Sequence, residues 1–233
     1  AIVAFARTLS DAVEEEIDAG SFPLVLGGDC TVMFGPLLAL ARGGRPGLLF
    51  LDGHADFAHP RDEPSGEAAS MDLALATGRG PDGFGPIGRS DPLIQDDRVA
   101  VLGYRVHGDG TDTNRGVHVS DTGITAIGLD ELRRRGVERA TTDALQVVAR
   151  EDLEGFWIHL DVDVLDDDLM TAVDYHWPGG LSWEELTVVV TSALATSRAR
   201  GMDVAIFNPR LDPEGILAER LAGFLEECLS PLR

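Results

Sequence analysis

The stretch GLLFLDGHADF, Gly47–Phe57, decides the fold and points at the chemistry. Its first half is a continuous apolar run with no alternation, the pattern of a strand covered on both faces in a parallel sheet. At the end of that run Asp52, His54 and Asp56 stand on alternate residues. A solvated turn has no use for such spacing, and a carboxylate taken from water without a partner is costly.

Working outward, the same rhythm recurs on both sides: a short apolar run, a turn, then an amphipathic helix. FPLVLGG (22–28) reads as a strand, with a helix from about Thr31 to Arg42 behind it. RVAVLGY (98–104), GITAIG (123–128), GFWIHLDVDV (155–164) and MDVAIFNP (202–209) read as further strands. Helices are expected at RTLSDAVEEEIDAG (7–20), from LDELRRRG through 138–150, over 182–201 with Ser182 as its cap, and over 213–229. Segments 58–70 and 105–121 are rich in Gly, Pro, Asp and Ser and read as long loops. The expectation is a single domain over 1–233: an α/β fold, specifically a three-layer α/β/α sandwich with a mostly parallel central sheet.

The 233 residues carry a formal charge of -21, which argues against nucleic acid as a partner, since a backbone binder needs a basic stripe. That charge suits a cationic small molecule or metal ions. No apolar run approaches the length of a membrane span, about 18 residues. Two cysteines, Cys30 and Cys228, make no disulfide framework, which points to a reducing, cytoplasmic setting. No signal-peptide pattern is visible, and the opening at Ala1 rather than Met is consistent with residues missing upstream.

Open parallel sheets bind ligands at the carboxyl ends of their strands. GGDC, DGHAD and DVDVLDDD each close a strand, so three acidic strand ends can converge. A divalent cation would relieve their mutual repulsion. Oxygen ligands with one imidazole suit Mn²⁺, Mg²⁺ or Fe²⁺, and Asp52, His54, Asp56, Asp161 and Asp163 are enough for two ions if some carboxylates bridge. Taken one at a time, each aspartate is explained as well by capping the following turn.

In that order and at those separations, the three segments resemble the signature motifs of the ureohydrolase (arginase/agmatinase/formimidoylglutamase) family, which read GGDH, DAHxD and DxDxxDP. VLGYR (101–105), PGGLSWEEL (178–186) and FNP (207–209) are similar to further family segments. The likeness covers roughly residues 20 to 230 and implies an arginase-like sandwich; the family's opening βα unit is not visible. It implies that Asp52 and Asp161 bridge two Mn²⁺ ions, that His54 and Asp163 complete one ion, and that Asp56 binds the other and orients the nucleophile. Cys30 stands where the family has its remaining metal-ligand histidine. The implied reaction is attack of a metal-bridging hydroxide on the central carbon of a guanidino or amidino group. The likeness also raises the expectation of a homo-oligomer, a trimer or hexamer.

Four departures from the family pattern bear on chemistry. Cys30 offers a soft sulfur, or no ligand, where an imidazole is usual, so the His54 site is expected to be tighter and a single ion is an alternative. Ala69 occupies the position of a proton-shuttling histidine. Ile206 stands where arginases pair a glutamate with the guanidinium, which argues against arginine as substrate. Ala58 and the segment after Arg105 lack the polar groups that arginases use on the amino-acid end. Candidate compensations lie in AVDYHWPGG (172–180): Asp174 to meet a cation, Tyr175 to donate a hydrogen bond, His176 to replace the proton shuttle. The expected activity is manganese-dependent hydrolysis of a C–N bond in a linear amidine or guanidino compound. The alternatives are a noncatalytic or single-metal binding protein on the same scaffold, and metal-dependent amide hydrolysis.

Overall fold

A computed structural model describes residues 1–61, 63, 65–80, 92–105 and 118–232. Six strands form one parallel sheet: β1 (Leu24–Leu26), β2 (Gly47–Leu51), β3 (Val99–Leu102), β4 (Thr125–Ile127), β5 (Phe156–Asp161) and β6 (Ala199–Ala205), in the order β1-β6-β5-β2-β3-β4. Seven helices accompany it among the described residues: α1 (Ile2–Asp18), α2 (Phe34–Gly43), α3 (Asp72–Ala76), α4 (Leu129–Arg135), α5 (Val137–Val148), α6 (Trp183–Ala195) and α7 (Ile216–Leu229).

Strand alternation sorts the core into two layers. Leu48, Phe50, Val99, Val101 and Trp157 face α1, α2 and α3. Leu49, Leu51, Ala100, Leu102, Phe156, Ile158 and Leu160 face α5, α6 and α7. With both faces covered, the central strands carry no polar alternation, which is why their sequences are near-continuous apolar runs. The three-layer α/β/α arrangement expected from the sequence is the one observed. None of the described helices is long and apolar enough to cross a membrane.

From β2 the chain moves outward through β3 and β4, then returns to lay β5 on the other side of β2 and β6 beyond it. The carboxyl ends of β2 and β5 therefore flank the topological switch point, the crevice where open α/β sheets bind ligands.

Several element boundaries differ from those read in the sequence. The strand expected over 22–28 is only three residues long; it is an edge strand, and Leu26 is 71% exposed. The helix expected from Thr31 opens as a tight 3-10 turn, Cys30–Met33, with Asp29 Oδ1 accepting the Thr31 N–H at 2.9 Å. The helix over 182–201 begins where expected, since Ser182 and Glu185 form a reciprocal capping box. It stops at Ala195, however, and Ser197 turns the chain with φ 56° into β6. Gly201 belongs to that strand because a Cβ there would lie 2.1 Å from the Trp157 ring. The strand over 155–164 ends at Asp161, and Val162–Val164 form a 3-10 turn. Of the long loop at 105–121, residues 106–117 lie outside the described residues.

Candidate metal centre

Asp52 directly follows β2 and Asp161 closes β5, side by side at the switch point. Each organises its own turn in the same way. Asp52 Oδ1 accepts the His54 N–H at 2.6 Å, and Asp161 Oδ1 accepts the Asp163 N–H at 2.7 Å. Holding its own turn thus occupies one oxygen of each aspartate. Asp52 Oδ2 is buried without a partner, and Asp161 Oδ2 accepts the Cys30 thiol at 2.9 Å.

Cross-ties lock the two turns together. Asp163 Oδ1 accepts the Gly53 N–H at 2.9 Å, and Asp163 Oδ2 lies 2.8 Å from His54 Nδ1. The Arg105 N–H donates to the Gly53 carbonyl, while Arg105 Nη2 donates to the Asp163 carbonyl at 2.9 Å. The His54 ring packs at 4.7 Å against Trp177. Asp52, His54 and Asp163 have ligand atoms within 4.8 Å of one another.

Asp56 sits at φ 42°, a left-handed backbone that aspartate tolerates better than most residues. It keeps some surface on the crevice while lying deep among protein atoms. The structure also adds residues that the sequence reading passed over. Asp72, the first residue of α3, is fully buried with neither oxygen hydrogen-bonded, and it groups with Cys30 and Asp56. His159 on β5 shares the strand face of Asp161 and is fully buried. Its Nδ1 lies 2.6 Å from Asp203 Oδ2, and Trp157 Nε1 donates to Asp203 Oδ1 at 2.5 Å. A histidine two residues before Asp161 in an otherwise apolar strand was the signal available for it.

The electrostatics is that of anions crowded together out of water. Burial, then the charges of neighbouring aspartates, pushes the Asp56 and Asp161 carboxyls well above the usual carboxylate range, and Asp52 upward too. Burial and the Asp161 charge likewise raise the Cys30 thiol. Burial alone would lower the His54 imidazole, but its bonds to Asp163 and Asp52 carry it up to about 11. Asp163 is pushed down despite its burial, because His54 and Arg105 face it. Cations that neutralise this cluster at neutral pH are scarce among the described side chains, and a bound divalent ion has that effect.

Above the cluster opens a cavity of about 270 Å³ whose walls include Cys30, His54, Asp56, Asp161, Asp163, Ala69 and Ile206, with Glu63, Glu67 and Tyr175 as its other polar landmarks. Ile206, on this wall, is held at φ 72°, an outlier for a β-branched side chain, while its N–H donates to the Gly28 carbonyl. Tyr175 is 55% exposed and donates from its hydroxyl to Glu67 Oε2 at 2.8 Å. His176 and Asp174 do not line the cavity. His176 turns Nδ1 onto Asp167, and Asp174 Oδ1 accepts from Asn208 Nδ2 at 2.8 Å. The ring of His176, expected to serve as a proton shuttle, is engaged by Asp167.

A parallel α/β sandwich thus gathers carboxylates and an imidazole at its switch point, a set that could hold a divalent ion. A sequence model of the arginase family matches residues 2–230, and the chain belongs to that family. Among its relatives, the arginase of Staphylococcus aureus (strain MRSA252) is 24% identical over 222 residues, covering 94% of this chain and 71% of that protein. The arginase of Bacillus caldovelox is 28% identical over 205 residues, covering 88% and 67%. The fold is also that of the crystal structure of Bacillus subtilis arginase, with a TM-score of 0.85 at 24% identity over 98% of this chain and 76% of that one. Formimidoylglutamase from Bacillus subtilis superposes with a TM-score of 0.78 at 20% identity, over 98% and 65%.

Proposed function

We propose that this chain is a metal-dependent amidinohydrolase that cleaves a C–N bond of a linear amidine or guanidino compound other than arginine. The observation that carries the reading is the buried, partnerless Asp52 Oδ2, grouped with His54 and Asp163 beside a cavity that Asp56, Asp161 and Asp163 line.

Asp52, His54, Asp161 and Asp163 would hold one divalent ion, and this oxygen-rich set with one imidazole fits Mn²⁺. A second ion beside it would draw on Cys30, Asp52, Asp56 and Asp161; there the thiol fits manganese poorly. When bound, the metal supplies Lewis-acid activation of water at neutral pH. Asp56, at the cavity floor, accepts and holds a proton next to the reacting centre. Glu63 and Glu67 present carboxylates to a cationic substrate from the wall, the role Ile206 cannot fill. Tyr175, hydrogen-bonded to Glu67, fixes that carboxylate and closes the mouth of the cavity. A thiol-preserving cytoplasmic setting agrees with Cys30 and Cys228, both free.

Manganese-loaded protein screened against guanidino and amidino compounds should release urea or an amide with the matching amine. Asp56→Asn should lower that rate by at least about 10²-fold, the range for a lost proton-transfer group. Metal-loaded protein that turns over no member of either class, yet binds one, would replace this reading with that of a binding scaffold. Cys30, Ala69 and Ile206 are the features that favour the scaffold.

A further inference from the structure

Beneath the family-type ligands lies a second polar layer with the construction of a metal site. The fully buried ligand atoms offered by Cys30, Asp52 and His159 lie within 4.8 Å of one another. Nδ1 of His159 is engaged by Asp203, which leaves Nε2 as the free ring nitrogen; it has no partner, and neither does Asp52 Oδ2. Asp72, whose two oxygens also lack partners, belongs to a group that shares Cys30. Two partnerless buried atoms in one ligand group, Asp52 Oδ2 and His159 Nε2, are an arrangement that a folded protein ordinarily satisfies with a partner.

The surroundings of His159 are those of a ligand held for use. A metal-bound histidine almost always gives its other ring N–H to a carboxylate, which fixes the tautomer and the ring direction. Asp203 is that carboxylate, itself steadied by the Trp157 indole N–H. Phe50 stacks on the imidazole with centroids 4.7 Å apart at 28°, which fixes the ring plane. Asp203 and Trp157 thus stand behind a histidine that faces nothing but other ligands.

We propose that Cys30 Sγ, His159 Nε2 and Asp52 Oδ2 bind a zinc-type cation, in place of the manganese that the Cys30 position would otherwise lack. A thiolate–imidazole–carboxylate set is borderline-soft and suits Zn²⁺, or Co²⁺ as its spectroscopic stand-in, rather than Mn²⁺. Ligand atoms bonded at about 2.0–2.3 Å around a tetrahedral ion lie roughly 3.3–3.7 Å apart, so the group must contract by about an ångström on binding. Binding releases the thiol proton of Cys30 to solvent, because only the thiolate ligates. The centre is then mixed: a hard site at His54 and a softer one at His159, bridged by Asp52. This inference rests on the metal-hydrolase reading and puts His159 in the place of Asp56 and Asp161 among the ligands of its second ion.

The test uses the full chain, stripped with chelator and reloaded with Zn²⁺ or Co²⁺, and in a second sample with Mn²⁺ followed by one equivalent of Zn²⁺ or Co²⁺. X-ray absorption at one equivalent of zinc should show one sulfur at about 2.3 Å together with imidazole nitrogen, and cobalt should show a thiolate charge-transfer band. Cys30→Ser should abolish both sulfur signals. His159→Gln should weaken that ion by roughly 10- to 100-fold or more, the loss expected when metal-site support is removed, while the manganese ion at His54 stays bound. Absence of sulfur from the wild-type spectrum overturns the proposal, even if the variants fail to fold, and so does unchanged affinity in His159→Gln. Manganese retained at His54 without a sulfur signal removes this inference alone. A chain that binds no ion at all removes the hydrolase reading with it.

Discussion

Asp161→Asn separates a carboxylate kept for metal from one kept for structure. The side chain is almost fully buried; one oxygen accepts the Asp163 N–H and the other the Cys30 thiol. Asparagine preserves the first bond and turns an amide N–H toward sulfur, so little structure is lost. It also removes one member of a crowd of anions whose burial and mutual repulsion raise the Asp161 carboxyl well above its usual range. Every pKa unit of such a rise corresponds to about 1.4 kcal/mol of stability forfeited at neutral pH. Metal-free Asp161→Asn should therefore melt at the same temperature as the parent or a few degrees higher, a gain of up to about 2 kcal/mol, or roughly 4–8 °C for a chain of this size. Metal reverses the order. A ligand present at about 1,000 times its Kd stabilises the parent by about 4 kcal/mol, or roughly 8–16 °C, and the variant should lose most of that increment. Thermal melts followed by circular dichroism, with and without Mn²⁺, read both numbers. An equal metal-dependent gain in both proteins would show that Asp161 is no ligand. A metal-free variant destabilised by several kcal/mol would show that the carboxylate is satisfied by structure, and that the repulsion argument is wrong.

Three further outcomes are expected. The metal-free protein should lose stability as the pH rises: Asp203 carries His159 to about 9 against the lowering effect of burial, so its contribution is complete below its unfolded value of 6.5 and is lost as the pH climbs through about 9. The raised carboxyls act in the same direction, and urea midpoints that climb between about pH 6 and 9 would refute the assignment. Trp157→Phe leaves Asp203 Oδ1 buried without its donor and should cost about 2–3 kcal/mol, or roughly 4–12 °C in Tm; a loss below one degree would mean that Asp203 finds another partner. His176→Ala should change kcat/KM by less than about twofold, since Asp167 holds the ring outside the cavity, whereas Glu67→Gln should raise KM by about tenfold for a cationic substrate. The reverse pattern in steady-state kinetics would reinstate His176 as the proton donor.

The sheet and half of the site were legible because their signals are local. Near-continuous apolar runs marked β2, β3 and β5, and Asp52–His54–Asp56 and Asp161–Asp163 announced themselves by spacing within one turn. β1 was overread because an apolar run at an edge does not report where its pairing stops, and the end of α6 because Ser197 and Gly201 break a helical pattern only through their contacts in three dimensions. His159, Asp203 and Asp72 were not legible for a different reason. His159 meets Asp203 through the register between β5 and β6, and Asp72 arrives from α3, so no spacing along the chain connects them. A polar residue in a buried strand is ambiguous until its partner across the sheet is known.

The departures from the family pattern fall where the backbone does not depend on the side chain. Asp52 and Asp161 each hold their own turn together, and Asp163 ties the Gly53 amide to the opposite strand end, so losing any of them costs local structure as well as a ligand. Cys30 makes a single thiol contact, and Ala69 and Ile206 meet the cavity through apolar atoms. Those positions can change without unmaking a turn. The His159–Asp203–Trp157 layer lies directly beneath the altered side and leaves the His54 side alone. A purely structural layer would ordinarily give His159 Nε2 a partner; a layer that compensates for a ligand changed at Cys30 would keep it for a metal.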